Sequence, residues 1–299
     1  MTPEMTTDRP LRWGIIGVGR AGRARARAIQ ADPRGSVQLG FRGSPEAAGL
    51  QPARSVAALL EAVDAVAICS TDETHYALTR QALLADCHVV CEYPLAHTAA
   101  EARELLALAA ARKRLLHVEH IELLGSAASW WRKQDLGPIT GGRVRFTSSR
   151  SDVSAVDGGL ARLHRVVDFL GAPEALFVTQ RSPSRIQGKL RWPEHTIDLD
   201  FHSSAAFKRH TELTIDCQLG QCRQSNRSIF IDDTEVTLPP GPGLFALDQL
   251  TATARIFDAT DHYLSDARIL AVLALRDALR EAEPGRWEAA VGGGAERVV

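Results

Sequence analysis

The sequence has no excess charge of either sign, no paired-cysteine motif and no long apolar run. Its 299 residues carry 35 Lys and Arg against 36 Asp and Glu, a formal net charge of −1. That balance supplies no global field to draw in nucleic acid or an anionic membrane, and neither is expected as a partner. The five cysteines, Cys69, Cys87, Cys91, Cys217 and Cys222, are odd in number and contain no Cys-x-x-Cys pair, so neither a disulfide framework nor a zinc site is expected. No stretch reaches the roughly 18 consecutive apolar residues of a membrane-spanning helix. The polar start, Met1 to Pro10, lacks the apolar core of a signal peptide. These absences point to a reducing cytoplasm. What is present is an ordinary globular composition, 45% hydrophobic and 24% charged, long enough for two domains at roughly 150 residues each.

Short apolar runs alternate with helical patterns over the first 120 or so residues, which is how βαβ units of a parallel sheet read in sequence. Strands are expected at Leu11–Gly17, Val37–Phe41, Ala65–Cys69, His88–Cys91 and Leu115–Ile121. Helices are expected at Arg20–Ala31, Val56–Val63, Thr74–Ala85 and Thr98–Ala111, the last opened by a Thr98/Glu101 capping box. Beyond Leu124 the texture changes. After a helix at Gly125–Gln134 come alternating segments at Gly142–Thr147, Ala175–Gln180, Thr196–His202, Glu212–Gln218 and Ser228–Ile231, broken by a helix at Gly159–Leu170. A helical pair, Asp248–Tyr263 and Asp266–Glu283, follows, and Val291–Val299 is expected to fray. No internal repeat is seen. The expected fold is an α/β N-terminal Rossmann domain, residues 1–123, followed by an α+β domain with a large, mostly antiparallel sheet, residues 124–299.

Gly17-Val18-Gly19-Arg20-Ala21-Gly22 is a G-x-G-x-x-G that follows the first strand and opens a helix, the context in which that motif binds a dinucleotide. The first glycine permits the turn, the second lets the backbone approach a pyrophosphate, and the third lets helix pack on strand. The helix N-terminus offers free N–H groups, so Gly17, Gly19, Arg20, Ala21 and Gly22 are expected to bind the cofactor. Where an NAD enzyme usually places an acid, after the second strand, the chain reads Phe41-Arg42-Gly43-Ser44. A guanidinium fork matches a phosphate, so Arg42 and Ser44 point to the 2′-phosphate of NADPH, with NADH a weaker alternative; a solvated loop arginine is the plainer reading. Two more segments end strands at the carboxyl edge where ligands bind: Cys69-Ser70-Thr71-Asp72-Glu73-Thr74-His75 and Cys91-Glu92-Tyr93-Pro94.

A dinucleotide domain with strand–Ser/Thr–x(3)–His, then strand–Glu–Lys–Pro, then an antiparallel-sheet domain, resembles the family of sugar and inositol dehydrogenases related to glucose–fructose oxidoreductase. The chain departs from it at Tyr93, where that family carries the lysine that orients a sugar hydroxyl and helps take its proton. Glu92-Tyr93-Pro94-Leu95, with the glycine motif and His117-Val118-Glu119-His120-Ile121-Glu122-Leu123-Leu124, is similar instead to the biliverdin reductase branch. Weaker likenesses follow at Gly159-Leu160-Ala161-Arg162-Leu163 and Asn226-Arg227.

The resemblance implies hydride delivery from NADPH to the central methine carbon of biliverdin, with a proton going to a pyrrole nitrogen. It implies cofactor contacts from Ser70, Thr71, His75, Glu92 and Tyr93. It also implies substrate contacts from Glu119, His120, Arg162 and Arg227, of which Arg162 and Tyr93 are the catalytic candidates. Packing alone would also account for Tyr93, and solvated surfaces for Arg162 and Arg227. Two other constellations carry less. His117, Glu119, His120 and Glu122 look metal-rich, but on a strand they alternate between faces and could not share one ion. His164 and Asp168, four apart on a helix, read mainly as helix-surface groups. The alternatives are an NADP-dependent sugar or polyol dehydrogenase and a dinucleotide-sensing regulator without turnover, as monomer or homodimer.

Overall fold

The structure, a computed structural model, describes residues 9–290 except 242, 259 and 261. The expected fraying of Val291–Val299 and most of the polar start lie outside the described residues. The chain forms two compact units, one built from the chain up to Leu124 together with Gly241–Ser265, the other from Gly125–Pro240 and the chain from Asp266 on.

The first unit runs β1 (Leu11–Val18), α1 (Arg20–Ala31), β2 (Gly35–Gly43), β3 (Gln51–Pro52), α2 (Val56–Ala62), β4 (Ala65–Ile68), α3 (His75–Leu84), β5 (His88–Cys91), α4 (Ala99–Arg112) and β6 (Leu116–Val118). The strands pair in parallel in the order β3-β2-β1-β4-β5-β6. That order reverses direction between β1 and β4, and at such a switch point the carboxyl ends of the strands leave a crevice for a ligand. The central strands are buried on both faces, with Ile15, Ile16, Ala65 to Ile68 and Val89 all inaccessible, which is why they read as continuous apolar runs. The last strand is shorter than the alternation suggested: β6 stops at Val118, and Ile121–Leu124 is a 3-10 turn. Strand parity therefore does not extend to Glu119, His120 and Glu122.

The second unit begins with α5 (Ser126–Lys133), β7 (Ile139–Ser148), α6 (Ala155–Leu170), β8 (Ala175–Ser182), β9 (Arg185–Arg191), β10 (Thr196–Ser203), β11 (His210–Cys217), β12 (Gly220–Ser225), β13 (Ser228–Ile231) and β14 (Thr234–Val236). Helix α7 (Leu244–Asp258) then returns to the first unit, while α8 (Asp266–Glu281) and β15 (Trp287–Ala289) complete the second. Among the described residues its nine strands run β14-β13-β12-β11-β7-β10-β9-β8-β15, antiparallel except for β7 beside β10. One face buries Val144, Phe146, Ile186, Leu190, Ile197, Leu199 and Phe201. Helix α6 packs there, so closely that a Cβ at Gly159 would fall 2.1 Å from the Phe201 ring. The alternate positions carry cross-strand ion pairs, Lys189 with Asp198, Arg185 with Asp200 and Arg145 with Glu212, each worth little in water.

The return of α7 departs from the expected division at residue 123. Helix α7 packs on α1, and its Ala252 is fully buried in the core cluster that holds Trp13, Ile15 and Ile29. A sequence cut by texture cannot see this pairing, because the two helices lie more than 200 residues apart.

Candidate active site

The turn between β1 and α1 is built from its three glycines. Gly17 has φ +91°, and a Cβ on it would meet the Cys69 carbonyl at 2.6 Å. A Cβ on Gly22 would lie 2.4 Å from the Gly17 carbonyl oxygen, so Gly22 is what lets α1 start against its own turn. Gly19 is different: its Cβ would meet nothing within 4 Å. The space it leaves open faces the first turn of α1, whose cap residue, Gly19 itself, offers no side-chain hydrogen bond. Uncapped N–H groups beside an open glycine fit the pyrophosphate of a dinucleotide. Arg20 is exposed and Ala21 half-buried at that end.

At the neighbouring end of β2, Arg42 and Gly43 both have positive φ, 61° and 79°. The tight turn they form is tied to the glycine loop by Ser44 N–H donating to the Val18 carbonyl at 3.2 Å. Arg42 and Ser44 are exposed there, with the Arg42 guanidinium 5.6 Å from the Phe41 ring. After β4, Thr71 is exposed, while Ser70 and Thr74 share a hydroxyl hydrogen bond of 2.7 Å.

His75 is placed otherwise than expected. It is fully buried, and its ring joins two loops, Nδ1 at 2.6 Å from the Pro94 carbonyl and Nε2 at 3.1 Å from that of Ser70. Two carbonyl acceptors require two N–H donors, which only the imidazolium has. Burial opposes that charge, but the Cys91 sulfur and the two carbonyls outweigh it and raise the pKa to about 10. His75 therefore clamps the loops after β4 and β5 together and presents no surface to a cofactor.

Glu92, Tyr93 and cis-linked Pro94 form the turn leaving β5. The Tyr93 ring lies 4.5 Å from the His120 ring. Beneath this turn is a buried polar cluster that the sequence reading missed. Arg25 of α1, wholly inaccessible, donates from Nε to Glu92 at 2.7 Å, from Nη2 to Asp248 of α7 at 2.8 Å and from Nη1 to Gln249 at 3.3 Å. Asp248 also accepts from His117 Nε2 at 2.9 Å and from the Tyr263 hydroxyl at 2.7 Å. Arg255 donates to His117 Nδ1 at 3.2 Å, which fixes His117 as the neutral tautomer protonated on Nε2. Burial pushes the His117 pKa down, in keeping with that tautomer. Burial works against the Asp248 charge, but the His117 hydrogen bond and Arg25 hold it well below the usual carboxylate range.

Glu119, 5% exposed, closes the cluster, accepting from Ile121 N–H at 3.0 Å and Tyr93 N–H at 3.3 Å. Burial and the Glu92 charge raise its pKa to about 8. One sequence signal could have found Arg25: it shares a helical stripe with Gly22, Ala26 and Ile29, and an arginine on an apolar face must be paired.

In the second unit, Arg162 is buried on α6, 6% exposed, and lines a small cavity with Arg165, Val144, Thr211, Leu213 and Gln224. Arg227 is not on a sheet face as expected; it is exposed in the two-residue turn between β12 and β13. His164 and Asp168 are not surface groups either. His164 is fully buried, and Asp168, 5% exposed, bridges Arg132 of α5 and Arg268 of α8. Among the described residues, no group of three or more His, Cys, Asp and Glu could hold a metal ion, and no helix is long and apolar enough to cross a membrane.

A parallel sheet in 3-2-1-4-5-6 order with a glycine cradle at its first turn is the doubly wound architecture of dinucleotide-binding domains. Residues 11–120 match the model of the oxidoreductase family, NAD-binding Rossmann fold. Over that stretch the chain is similar to this family, known as GFO/IDH/MocA. It is 28% identical to mouse biliverdin reductase A over 277 residues, 83% of this chain and 92% of that protein. It is 33% identical over 132 residues, 42% of each chain, to UDP-N-acetylglucosamine 3-dehydrogenase of Acidithiobacillus ferrooxidans. The crystal structure of Synechocystis biliverdin reductase with biliverdin and NADP+ superposes with a TM-score of 0.80 at 24% identity, covering 91% of this chain and 98% of that one.

Proposed function

We propose that this protein is an NAD(P)-dependent oxidoreductase, and specifically a biliverdin reductase that uses NADPH to reduce the central methine carbon of biliverdin, giving bilirubin. The observation that carries the reading is Tyr93. It stands at the carboxyl end of β5 where the sugar-dehydrogenase pattern requires lysine, and the likeness to mouse biliverdin reductase A extends over most of both chains. That position therefore lacks the ammonium with which the sugar-dehydrogenase pattern orients a hydroxyl and helps take its proton. The His164 and Asp168 pair does not stand in for it, since the histidine is buried and the aspartate is occupied by two arginines. Of the other readings, sugar or polyol dehydrogenation is thereby disfavoured.

The dinucleotide supplies the hydride when bound. The chain's own residues bind and orient. Gly19 and the first turn of α1 receive the pyrophosphate, and Arg42 with Ser44 favours the 2′-phosphate of NADPH over NADH. The His75 clamp fixes the loops after β4 and β5, so that Ser70, Thr71 and the Glu92–Tyr93 turn keep their positions. Tyr93, backed by the His120 ring, offers a phenol and a flat face to an aromatic partner. Arg162 and Arg165 on α6 are the cations assigned to the substrate's propionates. A guanidinium fork matches the geometry of a carboxylate.

The test is a spectrophotometric assay of purified protein with biliverdin and NADPH, and NADH in parallel. Loss of the long-wavelength pigment band with growth of a yellow bilirubin band, faster with NADPH, is the expected outcome. Pigment unchanged with either cofactor in the presence of folded protein refutes the reading and directs the search to sugars and polyols.

A further inference from the structure

The buried charges at the carboxyl edge of the first sheet do not balance without a proton. One wholly buried guanidinium, Arg25, shares the site with three carboxyl groups, Asp248, Glu92 and Glu119, while the half-buried Arg255 donates to His117 Nδ1 and so holds His117 neutral. The side-chain donors of the cluster go elsewhere than Glu119. Arg25 gives its three hydrogen bonds to Glu92, Asp248 and Gln249, and His117 and Tyr263 give theirs to Asp248. Glu119 receives backbone amides, and the longer of the two contacts, 3.3 Å on Oε2, leaves that oxygen able to carry hydrogen.

The groups that face Glu119 come from every element around it. Glu92 and Tyr93 come from the end of β5, Arg25 from α1, Asp248 from α7, Ile121 from the turn after β6, and Tyr263 from the segment after α7, which also binds the His120 amide. Of these, Glu92 and Asp248 disfavour ionised Glu119, while Arg25 and the Ile121 amide favour it, and burial with the two carboxylates outweighs them. Two carboxylates sharing one buried site with too few cations keep a proton between them.

We propose that Glu119, lying directly beneath the Glu92–Tyr93 turn, is the proton store of this site, a carboxylic acid at neutral pH that supplies the proton accompanying hydride transfer. The assignment rests on the reductase reading. In the reduction, the hydride from the dihydronicotinamide forms the new C–H bond at the methine carbon. The Glu119 O–H bond breaks and its proton goes to the pyrrole nitrogen, leaving oxidised dinucleotide and a carboxylate that solvent reprotonates. Arg25 is then a positioning residue: by neutralising Glu92 and Asp248 it sets which carboxyl group keeps the proton.

The experiment has two arms. In the first, infrared spectra of the ligand-free protein are compared with those of Glu119→Gln at pH 7 and pH 9.5. A protonated-carboxyl C=O band present at pH 7, lost at pH 9.5 and missing from the variant is expected; no such band overturns the proposal. In the second, kcat for biliverdin is measured from pH 6 to pH 9.5. Wild type is expected to fall as pH rises through the Glu119 titration. Glu119→Gln is expected to lose roughly 10²-fold or more in kcat with a flat profile and an unchanged KM for NADPH, and Glu119→Asp to recover part of the rate together with the pH dependence. A Glu119→Gln variant within threefold of wild type overturns the proposal even if the band is found. Wild type is run first, so failure to reduce biliverdin at all identifies the functional reading as the fault, whereas normal turnover without the band or the rate loss faults Glu119 alone.

Discussion

Replacing Arg25 with methionine keeps most of the side chain's volume but removes the guanidinium that holds Glu92, Asp248 and Gln249. Arg25 and Asp248 are both completely inaccessible, so the surviving carboxylate gains no water in exchange. Breaking a buried pair by deleting one partner costs about 3–5 kcal/mol. His117 and Tyr263 remain on Asp248 and place the expected loss near the lower end, ~3 kcal/mol, about a hundredfold in the folding equilibrium. Replacing Asp248 with asparagine as well removes the orphaned charge. The double variant is then expected to be less destabilised than the sum of the singles by about 1–3 kcal/mol. The assay is urea-dependent hydrogen exchange of the β1 and α1 amides, which isolates the first unit's opening from that of the second. A single-variant loss below ~1 kcal/mol, or strict additivity in the double, refutes the reasoning that this cluster is a coupled, desolvated charge network.

Three further outcomes are expected. Gly19→Ala should fold with wild-type stability, since nothing lies within 4 Å of its Cβ, yet lose NADPH affinity at least tenfold by calorimetry, whereas Gly22→Ala, with a backbone oxygen at 2.4 Å, should be destabilised outright. His75 has a folded-state pKa raised to about 10 from 6.5, so its stabilisation is complete below about pH 6.5 and is lost as pH rises through about 10. His75→Leu should flatten the fall of stability over pH 7–10, a slope of at most ~1.4 kcal/mol per pH unit, in denaturation series at each pH. Arg162→Ala should lower biliverdin turnover far more than it weakens NADPH binding, and equal losses of both would assign Arg162 to cofactor binding or folding.

Much of the first unit was legible from local pattern. The glycine motif, the Thr98 cap and α1 at Arg20–Ala31 depend on neighbours within a few residues, and such dependencies are written in sequence order. The second sheet was legible in class but not in count. Strands β9, β12, β14 and β15 escaped because their exposed positions carry charged and small residues that blur the alternation. The strand pattern also carried too far, past Val118 into a 3-10 turn, because apolar spacing over six residues does not register where a ladder stops.

The sequence by itself determined the class of fold and the cradle for the dinucleotide, because periodicity, capping and the conformational freedom of glycine act over short distances. Only the tertiary structure decided what lies beneath the Glu92–Tyr93 turn. Arg25 meets Asp248 across 223 residues, His75 is consumed as a clamp between two loops, and Glu119 is buried beside two other carboxylates whose guanidinium it shares. Those protonation states follow from desolvation and from which charges share a buried volume, and chain order does not encode that.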